Sequence, residues 1–188
     1  MEAVLDLLLF WNLVSVKTSS MEIFGSSRSI AMIRKFMFEA EIYESLNCLP
    51  MAARRKLDAV GIKLHLAQWE QLGRGERLMI CHAPADSGDE RAALRIFIEE
   101  VALARTGSPA KILDDDTRRN AIPPDQPPRL LTRHARAFGI ELDGKAWAVL
   151  DDDQRYALIK LGDSERPSHN LELALQEFFD SDARAEAS

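Results

Sequence analysis

A cysteine just ahead of a helix start, Cys48, and the charged run behind it, Arg54-Arg55-Lys56 with Asp58, are the residues of this chain best suited to do chemistry. A thiolate is stabilised near a helix N-terminus and can act as a reactive or sulfur-handling group there. The apolar neighbours Leu46 and Leu49 equally suit Cys48 to packing the helix entry. Four arginines, Arg55, Arg77, Arg133 and Arg155, can grip a carboxylate or phosphate through paired hydrogen bonds. The same side chains can instead form ion pairs or cover apolar surface with their stems. Cys48, Arg54, Arg55, Lys56, Asp58, Arg77 and Arg155 are therefore the candidate partner-binding residues.

Other chemistries find less support. Cys81 and His82 are adjacent, and His65, His134, His169 and Cys48 are also available, but no C-x-x-C, H-x-x-x-H or H-E-x-x-H spacing occurs, so no metal site is expected. Cys81 reads as a small buried thiol, and His65 as a cap or surface residue at a helix start. No serine stands in a G-x-S-x-G elbow, and Gly73-Arg74-Gly75 lacks the partners of a phosphate loop. No catalytic residue and no cofactor are expected. The segment Leu66 to Leu72 could imitate a recognition helix, but it carries Glu70 and devotes Trp69 and Leu72 to packing.

The elements that must position these residues are written twice. Displacing the chain by 78 positions superimposes Pro50 on Pro128, Arg55 on Arg133, Ala59 on Ala137, Gly61 on Gly139, Ile62 on Ile140, Leu64 on Leu142, Trp69 on Trp147, Leu72 on Leu150 and Arg77 on Arg155. Average composition would give roughly two identities by chance over such a length. Residues present in both copies are expected to build the scaffold, and those present in one are better candidates for function.

Each copy reads as a helix opened by its proline and ended by its glycine, then a short helix presenting Trp69 with Leu72, or Trp147 with Leu150, on one face. A third helix starts at Asp151 with Gln154, a capping-box pair, and at its weaker counterpart Gly73 with Glu76. After a one-residue slip, Leu94, Ile96, Ile98, Glu100 and Val101 lie opposite Leu171, Leu173, Leu175, Glu177 and Phe178. The expected fold is all-α, an internally duplicated helical domain with two repeats of about four short helices each. Residues 36–105 form the first repeat, 106–127 a Pro-rich exposed linker, 128–180 a second repeat packed on the first, and 181–188 a disordered tail. One short strand is allowed near Phe36 to Ile42.

A net charge of −6 and two cysteines point away from phosphate-backbone binding and from a disulfide framework. The default is a cytoplasmic protein with no membrane partner, and nucleic acid is disfavoured. The apolar run Ala3 to Val16 contains Asp6, follows Glu2 and is too short to span a bilayer. Residues 1–31 read as an N-terminal extension from an over-extended start, with Met32 or Met37 as the functional one; the rival is a short amphipathic helix.

The strings Ser45-Leu46-Asn47-Cys48-Leu49-Pro50-Met51, Arg54-Arg55-Lys56-Leu57-Asp58, Gly61-Ile62-Lys63-Leu64, Arg105-Thr106-Gly107 and Gln154-Arg155-Tyr156-Ala157-Leu158-Ile159-Lys160-Leu161 resemble the conserved nitrate reductase-associated protein family. The resemblance spans about residues 36–180. It implies an accessory or assembly role in nitrate assimilation, with nitrate reductase apo-enzyme or a molybdenum-cofactor delivery protein as partner. It brings no catalytic residues with it. A small-molecule or cofactor-binding protein or enzyme of molybdenum-cofactor metabolism is the alternative, a DNA-binding regulator ranks below both, and a homodimer is compatible with all three.

Overall fold

Local stop and start signals shape most of the elements. A computed structural model describes residues 35–114 and 122–179. The N-terminal extension and the tail expected at 181–188 lie outside the described residues.

A 3-10 turn, Met37–Glu39, runs into α1 (Ala40–Ser45), followed by α2 (Met51–Val60), β1 (Ile62–Lys63), α3 (Leu66–Gln71), α4 (Arg74–His82) and α5 (Gly88–Thr106). Then come β2 (Lys111–Ile112), α6 (Arg129–Ala137), α7 (Gly144–Ala148), α8 (Asp152–Gly162) and α9 (His169–Phe179). The described residues are mostly helical. Among the described residues four helices follow each of the prolines Pro50 and Pro128, which sit at the N-caps of α2 and α6, one residue earlier than the first helical position.

Both opening helices end through a left-handed glycine, Gly61 at φ +74° and Gly139 at φ +78°. At the second, Ile140 N–H donates to Ala135 O and Gly139 N–H to Arg136 O, the paired bonds that satisfy the last carbonyls of a helix. At the first, Gly61 N–H reaches Asp58 O and Leu57 O, and Ile62 enters the core beside a buried Leu57. Asp151 caps α8 as its spacing predicts: Gln154 N–H donates to Asp151 Oδ1 and Asp151 N–H to Gln154 Oε1. The Glu76 carboxylate likewise accepts from Gly73 N–H at 2.7 Å.

Two expectations need correction. From Met37 to Ile42 the segment is helical, with only Phe36 extended as the N-cap, and Phe36 and Phe38 stack on each other at 5.3 Å and both meet Phe178 of α9. The two oxygens of Glu177 accept from Met37 N–H and Phe38 N–H, covering donors left open at a helix start. The Pro-rich connection is not wholly exposed either. Ala110 is buried, and Lys111–Ile112 pairs antiparallel with Ile62–Lys63, which places a two-stranded ladder in a fold expected to have none there.

The core takes its largest side chains from the tryptophan-bearing helices. Trp69 and Trp147 are both fully buried. Met51 and Phe36 pack with Leu131, Trp147, Leu158, Leu175 and Phe178, so the later helices share a core cluster with the start of the described chain. Helix α2 touches α4 and α5 on one side and α8 on the other.

Candidate functional site at the charged face of α2

Helix α2 turns at about 100° per residue, so consecutive charges face different neighbours. Arg54 is exposed. Arg55 reaches across to the first turn of α8, with Nη1 2.6 Å from Asp153 Oδ1 and Nη2 3.4 Å from Asp152 Oδ2. Those carboxylates also lie where the dipole of α8 favours negative charge. Lys56 donates to Cys81 O and Ala83 O, both at 2.6 Å, and so ties α2 to the end of α4. Burial lowers the Lys56 pKa from its ordinary value.

Asp58 is buried, and its Oδ2 accepts from Tyr156 Oη at 2.8 Å and from Lys160 Nζ at 2.8 Å. Lys160 also stands over the Tyr156 ring, 5.4 Å from its centroid. Burial, reinforced by the Asp58 charge, raises the Tyr156 pKa, so the phenol stays a hydrogen-bond donor. A buried charge needs such partners, because water can no longer solvate it.

A second acidic anchor holds the other end of α2. Glu39 is buried and accepts from Met51 N–H with both oxygens, at 3.2 and 3.0 Å, and from Tyr43 Oη at 2.8 Å. Desolvation pushes its carboxyl up to about 6, against the opposing pull of the Met51 amide, Tyr43 and Arg54. Glu39 thus serves α2 as a cap supplied from 12 residues away.

Arg77 and Arg155 do a different job, and they do it in parallel. Arg77 donates to Leu72 O, Glu70 O and Leu46 O, and lies over Trp69. Arg155 donates to Trp147 O and Ala148 O, and lies over Trp147. Each closes the carbonyl end of a tryptophan helix. The indole N–H groups match as well: Trp69 Nε1 donates to Leu46 O and Trp147 Nε1 to Pro124 O. Leu46 adopts φ +53° at the end of α1, which turns that carbonyl toward both Trp69 and Arg77.

The structure therefore brings Arg55 and Asp58 together on α8, sends Lys56 to α4, and leaves Arg77 and Arg155 at separate tryptophans. Cys48 is an exposed free thiol in the turn before α2, whereas Cys81 is buried with its thiol pushed up to about 11 by desolvation. Among the described residues no group of three or more His, Cys, Asp or Glu side chains is placed to hold a metal ion. His134 is buried, with Nε2 2.9 Å from Ser164 O. An open cleft of about 680 Å³ runs between Met37–Ile42 and α9, lined by Met37, Phe38, Ile42 and Leu173 beside Glu39 and Glu177.

Sequence reasoning did not single out Glu39, Tyr156, Lys160 or Glu177 as site residues. Tyr156 and Lys160 stand opposite Leu78 and His82 in the 78-residue register, so the preference for residues present in one copy would have found them. For Glu39 no local pattern exists.

The family model for conserved nitrate reductase-associated proteins matches residues 35–178. The chain belongs to that family. Membership links the chain to nitrate reductase, and the match covers both tryptophan helices, both opening helices and the Asp58–Tyr156–Lys160 cluster. No curated protein and no solved structure matches the chain. Among the described residues no helix is long and apolar enough to cross a membrane.

Proposed function

We propose that this protein is an accessory factor of nitrate reductase that binds the apo-enzyme, or a molybdenum-cofactor delivery protein, and assists maturation of its molybdenum or iron–sulfur centre. The observation that carries this reading is the family match across nearly all of the described chain. The geometry agrees with it physically. Arg55, Lys56 and Asp58 of α2 are engaged in holding helices together, and such a rigid scaffold presents surfaces at low ordering cost. Cytoplasmic action follows from the same reading. The two four-helix units read as copies of one unit, because the tryptophan, arginine and glycine devices recur in one register.

Deletion of the gene, with nitrate reductase protein, cofactor content and activity assayed separately, tests the proposal. Normal protein with low cofactor content is expected. Normal cofactor loading and normal activity in the deletion strain would sink it.

A small-molecule binder or enzyme of molybdenum-cofactor metabolism is the second reading, favoured by the cleft beside Glu39 and Glu177. It predicts that Leu173→Trp, which narrows the cleft, abolishes function in a chain that still folds.

A further inference from the structure

Helix α6 is built on an amphipathic pattern with an unusual outer face. Leu131, His134 and Ala135 are buried, while Arg129, Arg133 and Arg136, spaced i, i+4 and i+7, are exposed on the opposite side. No carboxylate occurs between Gln126 and Ile140; Asp125 and Glu141 border the segment. Arg133 Nη2 meets Glu165 Oε2 at 2.8 Å, but both side chains are largely exposed, so water and salt weaken the pair and another anion can replace it. In a chain of net charge −6 this is a local concentration of positive charge.

Helix α2 shows what such a face accepts. In the 78-residue register Arg129, Arg133 and Arg136 stand where α2 has Met51, Arg55 and Asp58. Met51 and Asp58 are buried, and Arg55 holds Asp152 and Asp153 in the first turn of α8. A helix with an acidic first turn thus already sits on α2, its carboxylates held both by a guanidinium and by its own dipole. Helix α6 leaves the positions of Met51 and Asp58 exposed and fills both with arginine, and its counterpart of Arg55, Arg133, holds only the exposed Glu165.

We infer that the Arg129–Arg133–Arg136 face of α6 is a docking surface for an acidic helix start on a protein partner. Resting on the accessory-factor reading, the partner is the nitrate reductase apo-enzyme. Three guanidinium groups on one face match clustered Asp and Glu, and attraction of this kind speeds encounter and fades with salt.

The test titrates purified apo-nitrate reductase of the same host against the full-length chain at low and high salt, with duplex DNA in parallel. The comparison chains are R129E/R136E and, as a control at an exposed lysine elsewhere, K63E. The expected result is binding that weakens about tenfold or more in R129E/R136E, stays unchanged in K63E, and falls with salt in the wild type. Equal binding by wild type and R129E/R136E would overturn the inference and leave the accessory reading standing. Failure of the wild type to bind the apo-enzyme, or stripe-dependent binding of DNA in its place, would overturn the inference and the apo-enzyme form of the accessory reading, while the deletion assay still decides the form that acts through a delivery protein. Unchanged thermal unfolding of R129E/R136E excludes loss of fold as the cause.

Discussion

The unit from Pro50 to Thr106 and the unit from Pro128 to Phe179 use the same local devices but differ in what covers their opening helices. Each has a proline-capped helix, a left-handed glycine, a buried tryptophan whose indole N–H finds a carbonyl 23 residues earlier, and an arginine closing the tryptophan helix. In the first unit α2 is clamped at one end by Glu39 and along its side by α8. In the second unit α6 buries one face and offers arginines on the other. Shared devices make the scaffold; the difference in coverage separates internal structure from available surface.

The largest expected effect tests the shared part. Trp69→Ala and Trp147→Ala should each cost about 3–5 kcal/mol, the usual loss for a fully buried large aromatic. Denaturant unfolding of the two variants would break the comparison if one were tolerated at less than about 1 kcal/mol.

The next effect tests the difference. Asp58→Ala leaves Lys160 and Tyr156 without their carboxylate and should destabilise by about 3 kcal/mol. Arg136→Ala, its counterpart in register, should stay within about 0.5 kcal/mol. Similar losses at the two positions would erase the distinction between a covered and an open helix.

Glu39 sharpens the comparison through pH. Burial raises its carboxyl from the ordinary 4.5 to about 6, so the folded state holds the proton more tightly. Stability from this group is complete below about 4.5 and is lost as pH rises through about 6, a difference of about 2 kcal/mol. Glu39→Gln removes the titration. The stability of the variant relative to wild type should therefore be more favourable at pH 7 than at pH 4.5 by most of that amount, measured by urea unfolding at both values. A flat difference across this range would remove Glu39 as a buried, titrating cap.

The smallest effect concerns a glycine. Gly139→Ala has open space for the new methyl group but keeps φ at +78°, so about 1 kcal/mol of backbone strain is expected from thermal unfolding. A stabilised variant would show that the helix end can relax to another conformation.

Much of the scaffold was legible in the residues. Gly61 and Gly139, the Asp151–Gln154 box, and the pairing of Trp69 with Leu72 and of Trp147 with Leu150 all depend on neighbours within a few positions. The short ladder of Ile62–Lys63 with Lys111–Ile112 was not legible, because two residues carry no alternation. A short strand is allowed near Phe36 to Ile42 by the sequence, but Phe178 decides that the rings of Phe36 and Phe38 turn to one cluster. The candidate site was legible only as a set of charges. Nothing local tells Arg55, which meets α8, from Lys56, which meets the end of α4.

By itself the sequence determined where helices stop and start, which tryptophans anchor them, and to which family the chain belongs, since those signals lie in short, ordered strings. Tertiary structure alone decided that Glu39 caps α2, that Asp58 meets Tyr156 across 98 residues, and that α6 keeps its arginines in water. The physical reason is range. Capping, backbone preference and periodicity act within a turn or two of helix, whereas the burial of a charge depends on which distant element the folded chain lays over it.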